Sequence, residues 1–110
     1  MTVKDLKELF TPINIAETDR PAESIFCCDM LSIAMGKAPA GCVWVTVMSN
    51  INTLAVATLA DAAAIILAEG QQPDDTVCSK AAEQGVNLFT TPLPIYEACV
   101  KIQEKMDCGR

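Results

Sequence analysis

The stretch CVWVTV, residues 42–47, is the clearest strand signal in this chain of 110 residues. Its β-branched residues and almost unbroken apolar character are typical of a central strand that is covered on both faces. The turn sequence PAG (39–41) precedes it, and Ser49 and Asn50 offer a cap for a following helix. The pattern places that helix at Ile51 to Asp61, so we expect a strand that leads directly into a helix.

The same alternation continues on both sides of this segment. Short apolar runs between turn residues predict further strands, and helical spacing of apolar residues predicts the segments between them. The sequence therefore predicts an α/β fold, a three-layer single domain over residues 1–110 with a mainly parallel sheet. The further predicted strands are Ile13 to Ala16, Ile25 to Cys28, Ala63 to Leu67 and Val86 to Phe89.

Capping residues predict where the helices begin and end. Thr2 and Asp5 resemble a capping box at the start of a first helix, which Pro12 ends. Asp29 is predicted to be the N-cap of a second helix, which runs to Gly36.

Two further helices follow the strands in the second half of the chain. The sequence PDD (73–75) opens one of them, and Gly85 ends it. Thr91 is predicted to be the N-cap of the last helix, with Pro92 at its first position. One stripe of this last helix is apolar (Ile95, Cys99, Ile102 and Met106).

The acidic composition argues against a nucleic-acid partner. The chain has 14 acidic residues, 8 basic residues, no histidine and a net charge of -6, so it offers no basic stripe for a phosphate backbone. The N-terminal sequence MTVKDLKELF lacks the apolar core of a signal peptide, and the apolar stretch at 54–68 is too short to span a bilayer. We therefore expect a cytoplasmic protein that does not enter a membrane.

Six cysteines raise the question of redox or metal chemistry, although reduced thiols are expected in the cytoplasm. No pair has the spacing of a zinc knuckle or an iron–sulfur motif, so the sequence predicts no cofactor and favours cysteine as a small buried residue. Cys27 and Cys28 are adjacent on a strand and should point to opposite faces. Cys78 and Cys99 lie on inward helical stripes, and Cys108 is the thiol most expected to be exposed. A redox role for Cys28 has a physical basis, because Cys28 is predicted to lie at a strand end beside a helix N-terminus, and either Cys28 or Cys108 could be the reactive thiol.

The sequence holds no recognisable catalytic set. Without histidine there is no triad, and the five glycines form neither a dinucleotide-binding motif nor a P-loop. The carboxylates occur where helix caps and helix ends favour them, so we expect that the protein is not an enzyme. The carboxylates concerned are Asp29, Asp61, Asp74 and Asp75.

Polar side chains follow the predicted strands and suggest a ligand site. Open α/β sheets bind ligands beyond the carboxyl ends of their strands, where the connections diverge. Helix N-termini point to the same edge, which suits a small polar or anionic ligand. The competing interpretation is that each polar residue only caps its own helix. The candidate ligand-binding residues at this edge are Cys28, Asp29, Thr46, Ser49, Asn50 and Thr90.

Several segments together resemble the DRTGG-domain family. The segment FCCDMLS (26–32), a tryptophan-containing strand that ends in threonine (44–46), an Asn-led helix (50–57) and a Gly-x-x-Pro-Asp turn (70–74) follow the family's order and spacing. Asp19-Arg20 matches the start of the naming motif. Where the family has threonine and two glycines, this chain has Glu23, Ser24 and Ile25. The resemblance is closest to short stand-alone members found in anaerobic bacteria near iron hydrogenase genes.

The resemblance implies a fold similar to the N-terminal domains of HPr kinase/phosphorylase and of Mur ligases, without catalytic machinery of its own. It adds Asp19 and Arg20 to the candidate ligand-binding residues. It also implies a regulatory or accessory role with self-association, for which a dimer is favoured.

Three hypotheses for the function follow. The leading one is a non-catalytic regulatory or small-ligand-sensing domain, with a protein partner in a hydrogenase or redox system. An alternative is an iron–sulfur or redox accessory protein that uses Cys27, Cys28 or Cys42. The third is a small enzyme whose site forms between subunits, with Asp19, Arg20 and Asp29 supplying charge.

Overall fold

Five strands form one sheet in the computed structural model, which describes residues 1–108. The strands are β1 (Thr11–Asn14), β2 (Ser24–Cys27), β3 (Cys42–Thr46), β4 (Ala64–Leu67) and β5 (Leu88–Thr90). Their order across the sheet is β1-β5-β4-β3-β2. Strands β2 to β5 run parallel, and β1 lies antiparallel to β5 at one edge. The predicted, mainly parallel sheet is confirmed.

Helices cover both faces of this sheet. Helices α1 (Val3–Leu9) and α5 (Ile95–Cys108) pack on one face, and α2 (Leu31–Lys37), α3 (Ile51–Ala60) and α4 (Asp75–Gln84) pack on the other. The predicted three-layer arrangement is therefore confirmed. No helix in the described part of the chain combines the length and the apolarity needed to cross a bilayer.

Strand β3 is an interior strand between β4 and the edge strand β2, and it is covered on both faces as its sequence predicts. All of its residues are buried. Val43 and Val45 join the apolar cluster under α1 and α5, whereas Cys42 and Trp44 join the cluster under α2, α3 and α4. Because successive side chains of a strand point to opposite faces, one unbroken apolar run contributes to both halves of the core.

Strands β1 and β5 have bounds that differ from the predicted ones. Strand β1 begins two residues earlier than predicted, because Thr11 pairs with Thr90 of β5. Pro12 lies inside β1, where an edge strand tolerates the missing backbone donor. Strand β5 covers 88–90 instead of the predicted 86–89, so both boundaries follow from the pairing between these two strands.

The last helix starts later than predicted, at Ile95, and Thr91 is not its N-cap. The Thr91 backbone N–H instead donates to the Leu67 carbonyl (2.9 Å), and the Thr91 hydroxyl accepts a bond from the Leu93 N–H (3.3 Å). Thr91 therefore extends the pairing with β4 beyond the end of β5, and this pairing delays the helix.

Four other helix-end predictions are confirmed, whereas Gly36 lies inside α2, which ends at Lys37. The Asn50 side chain caps α3 by accepting bonds from two backbone N–H groups of that helix (3.0 and 3.2 Å), and Asp74 caps α4 in the same way with one bond (2.9 Å). Gly85 ends α4 with a φ of +68°, which glycine adopts without steric cost. At the first helix, the Thr2 N–H donates to the Asp5 carboxylate (2.9 Å).

Candidate functional site

The connections diverge between β4 and β5 at the carboxyl edge of the sheet. The chain leaves β4 for α4 on one face and leaves β5 for α5 on the other, which is the geometry that opens a ligand crevice in many α/β sheets. Here the two loops bond to each other: the Glu69 N–H donates to the Leu93 carbonyl (2.8 Å), and the Gly70 N–H donates to the Thr91 carbonyl (2.9 Å). The backbone of these two loops therefore closes the position between β4 and β5 where a ligand crevice would open.

A tight turn supports that closure from the β4 side. Glu69 and Gly70 have positive φ values of 58° and 72°, and the Gln71 N–H donates to the Ala68 carbonyl (3.1 Å). Two successive left-handed residues are typical of a type I′ turn. The turn directs the Glu69 and Gly70 N–H groups at the loop after β5, so these donors are not free for a ligand.

Asp29 is not the helix cap that the sequence predicts. Helix α2 has Met30 at its N-cap position. One carboxylate oxygen of Asp29 instead accepts bonds from the Thr46 hydroxyl (2.7 Å) and the Val47 N–H (2.9 Å). The prediction is wrong because the carboxyl ends of the parallel strands β2 and β3 meet, and the end of β3 offers two donors to this carboxylate.

Thr46 lies at the centre of this network. It is fully buried, it donates to Asp29, and its hydroxyl oxygen accepts a bond from the Met48 N–H (3.2 Å). Beside it, the Trp44 indole N–H donates to the Cys28 carbonyl (3.0 Å). These bonds fix the loops after β2 and β3 against each other, which favours a structural role for the polar residues at this edge.

The other residues predicted at the carboxyl edge are also held by their own surroundings. The Cys28 thiol donates to the Met30 carbonyl (3.4 Å). Asn50 uses its side-chain oxygen for the cap of α3, and Ser49 is half-buried directly before it. Thr90 is buried at the end of β5. The competing interpretation, local capping and loop support, therefore describes this edge better than an open ligand site.

Asp19 and Arg20 lie at the opposite, amino edge of the sheet. The Arg20 guanidinium donates to the Asp61 carboxylate (3.0 Å) and to the Asp61 carbonyl (2.8 Å). Asp61 is the C-cap of α3, shortly before β4, and Asp19 is exposed in the loop that carries Arg20. The candidate residues therefore do not form one site, because the sheet separates these two from the rest.

A cavity of about 140 Å³ opens at this amino edge. It adjoins the C-terminal ends of α3 and α4, whose partial negative charge favours a nearby cation. The Arg20 side chain is 23% exposed and its partner Asp61 is 67% exposed, so their ion pair lies between the cavity and the solvent. The charged and amide side chains that line the cavity are Glu17, Arg20, Asp61, Gln84 and Asn87.

Asn87 fixes the loop that leads to Arg20. Its side-chain oxygen accepts bonds from the N–H groups of Ala16 (2.8 Å) and Glu17 (3.0 Å). Its amide nitrogen donates to the carbonyls of Ala63 (2.9 Å) and Glu17 (3.3 Å). Sequence reasoning missed both the cavity and Asn87. The one available signal was an asparagine inside an otherwise apolar predicted strand.

The described cysteines do not form a metal site. In residues 1–108, no three Cys, Asp or Glu side chains are grouped so that they could hold a metal ion. Cys27 is exposed, whereas Cys28 packs against the cluster that contains Trp44, so the two thiols do lie on opposite faces. Cys42 is buried and Cys108 is exposed.

Burial raises the pKa of the Cys42 thiol from its ordinary value of 9.0 to about 11. A thiol that stays neutral in the folded chain but ionises in the unfolded chain stabilises the fold fully below pH 9.0, and this contribution is lost as the pH rises towards about 11. We expect the free energy of unfolding to fall across that window. Denaturant titrations should show a smaller fall for Cys42→Val, and equal falls would contradict the assignment.

Comparisons with known proteins support the fold. No family model matches the chain, and no curated protein matches it. Its structure is similar to the CBS and DRTGG domains of the regulatory region of Clostridium perfringens pyrophosphatase, a crystal structure in complex with the activator diadenosine tetraphosphate. The TM-score is 0.70 at 16% identity, over 86% of this chain and 42% of that chain. The present chain thus spans less than half of that regulatory region, and the likeness at this identity concerns the fold.

Proposed function

We propose that this chain is a non-catalytic regulatory domain that senses a small ligand in the cytoplasm. The similar structure belongs to the regulatory region of an enzyme and contains a nucleotide activator, which supports a sensing role for this fold. The same likeness supports the proposal that residues 1–110 form a DRTGG-like domain. Similarity to HPr kinase/phosphorylase and to Mur ligases, and a link to a hydrogenase or redox system in an anaerobe, remain predictions from sequence.

The cavity at the amino edge carries this proposal. It is lined by a cation, Arg20, whose guanidinium bonds within residues 1–108 to the more exposed Asp61. An oxygen of a ligand can replace the Asp61 carboxylate on Arg20 without leaving a buried charge unpaired. Asp61 is joined to the turn between α3 and β4, so such an exchange would change the restraint on that turn. Ligand binding would thereby change the conformation of the turn between α3 and β4.

The size of the cavity limits what one copy of the chain binds. Pockets for drug-sized ligands usually measure about 300–1,000 Å³, against about 140 Å³ here. One chain therefore accommodates a single small polar group, such as a phosphate or a carboxylate. A whole nucleotide requires a second surface, which a second copy of the chain would supply.

The surface beside β2 supports association with such a copy. Strand β2 pairs only with β3 and is an open edge of the sheet. Open strand edges are ready templates for pairing with another chain. Met30, Ile33 and Met35, which lie at and within the helix after β2, are each about half exposed (55%, 45% and 57%). We therefore propose a homodimer that uses this edge.

The test is a thermal-shift panel combined with a solution mass measurement. The panel contains inorganic phosphate, adenine nucleotides, dinucleoside polyphosphates and small carboxylic acids. A ligand at about 100 times its Kd adds about 2.7 kcal/mol to the free energy of unfolding, which is a rise in Tm of several degrees. Because a charge-assisted hydrogen bond contributes about 1.5–3 kcal/mol, Arg20→Ala should weaken binding roughly 10- to 100-fold.

Asp29→Asn is the matched control at the carboxyl edge. It changes a carboxylate of the loop network and leaves the amino-edge cavity intact, so ligand affinity should stay within about twofold of the wild type. Loss of the ligand shift in Asp29→Asn but not in Arg20→Ala would move the site to the carboxyl edge. A monomer that no member of the panel stabilises would remove the support for the sensing role.

A further inference from the structure

The exposed thiol of Cys27 lies on the face of the sheet that α5 covers. Cys27 is the last residue of the edge strand β2. Ile25, two residues earlier, packs in the cluster under α1 and α5, whereas Phe26 and Cys28 pack in the cluster on the other face. Since side chains alternate along a strand, Cys27 points to the same face as Ile25.

Cys99 approaches this position from α5. It is half-buried and packs against the same cluster as Ile25, within the apolar stripe that also contains Ile102. Burial raises the pKa of the Cys99 thiol to about 11, and the neighbouring Cys27 thiol adds to this shift through its charge and its hydrogen bond. An open strand edge and the helix that covers it thus bring two thiols together across most of the sequence.

Three of the other described thiols are not available to this pair, and the fourth, Cys108, lies at the end of α5, about 13 Å along the helix from Cys99. Cys42 is buried in the opposite cluster, and Cys28 packs against that cluster too. The Cys78 thiol, on α4, lies 4.0 Å from the Pro73 carbonyl. The accessible partner of Cys27 on its own face is therefore Cys99.

We propose that Cys27 and Cys99 form a reversible intrachain disulfide when the protein meets a low-molecular-weight disulfide such as glutathione disulfide. The exposed Cys27 thiolate attacks one glutathione sulfur, the glutathione S–S bond breaks, and one glutathione leaves. The Cys99 thiolate then attacks the Cys27 sulfur of the mixed disulfide, and the second glutathione leaves. The two thiol protons end on the two glutathione molecules, so two electrons pass from the protein to the oxidant.

This modification goes beyond the proposed ligand-sensing function and uses the opposite side of the fold. The disulfide would bind the open edge strand β2 to α5, and a link between residues 27 and 99 closes a long loop of the unfolded chain. The oxidised protein should therefore unfold at a higher temperature than the reduced protein. Cys27 and Cys99 do not line the amino-edge cavity, so the disulfide is expected to form with or without a ligand there.

The experiment incubates fully reduced protein with glutathione disulfide, blocks the remaining thiols by alkylation and maps the peptides by mass spectrometry. We expect the six thiols of the chain to lose one pair, a mass decrease of two hydrogens, and a linked peptide that joins Cys27 to Cys99. A reductant should reverse all three changes, together with the rise in Tm.

Cys27→Ser and Cys99→Ser should each lose the linked peptide and the rise in Tm, whereas the matched control Cys108→Ser should keep both. Serine is close to cysteine in size, and the reduced variants can be compared by circular dichroism. A Cys27–Cys28 link, a Cys27–Cys27 link between two copies, or glutathione that stays on Cys27 would each overturn the proposal.

Discussion

Replacing Trp44 by alanine is expected to lower the free energy of unfolding by about 3–5 kcal/mol, the usual cost of truncating a large buried aromatic residue. Trp44 has no exposed surface and lies in the middle of the interior strand β3. Its ring fills the cluster between the sheet and α2, α3 and α4. Because domains of this size are stable by only about 5–15 kcal/mol, the variant should be close to unfolding at moderate temperature.

Circular dichroism in a denaturant titration measures this change, since the substitution removes the only tryptophan of the chain and with it the fluorescence signal. Trp44→Phe is the matched control. It keeps most of the apolar volume but removes the indole N–H that donates to the Cys28 carbonyl. We expect a smaller loss of about 1–3 kcal/mol. A Trp44→Ala variant as stable as Trp44→Phe would contradict this account of the core.

Replacing Asn87 by leucine is expected to cost at least about 3 kcal/mol although the two side chains have the same number and branching of heavy atoms. The Asn87 amide serves four backbone groups at once, and leucine serves none of them. A partly or fully buried backbone group without a partner costs about 1–3 kcal/mol. The loop that contains Ala16 and Glu17 should also detach from the sheet, so Arg20 would lose its fixed position beside the cavity.

Hydrogen exchange can separate this effect from a general loss of stability. Relative to the wild type, Asn87→Leu should accelerate the exchange of the Ala16 and Glu17 amides much more than the exchange of the β3 amides. Asn52→Leu is the matched control, because Asn52 is exposed on α3 and the same change there should stay within about 0.5 kcal/mol of the wild type. Equal effects of the two substitutions would show that the Asn87 bonds do not matter.

Local signals were enough to predict most of the fold. The unbroken apolar run of β3 predicted a strand that contributes to both faces, and Asn50, Asp74 and Gly85 marked helix ends that the structure confirms. Each of these signals acts within one strand or one helical turn. The alternation of strands and helices then predicted the mainly parallel sheet.

The errors occurred where a residue bonds to a strand that is distant in the sequence. Asp29 has the sequence position of a helix cap, but it bonds to the end of β3, and Thr91 likewise pairs with the end of β4. In both cases, the neighbouring strand offers donors or acceptors that a local pattern does not contain. A capping rule considers only neighbouring residues, so it cannot predict that these residues bond to a distant strand instead.

The candidate site shows the same difference between local sequence signals and contacts with distant segments. Sequence patterns collected polar residues after each strand and predicted a ligand site there, which stays a prediction. The structure shows Asp29, Thr46 and Asn50 in bonds that hold loops and a helix cap. The cavity depends on Arg20 meeting Asp61, 41 positions away, and on Asn87 holding Glu17 from 70 positions away. No spacing rule predicts such pairs, because the order of the strands brings them together.

The sequence by itself therefore determined the elements, the two-sided core and the mainly parallel sheet. These depend on periodicity and capping, which act over a few residues. Only the tertiary structure decided that the crevice between β4 and β5 is closed, that a cavity lies at the amino edge, and that Cys27 faces Cys99. Those features arise from contacts between segments far apart in the chain, and their energies depend on which strands and helices become neighbours.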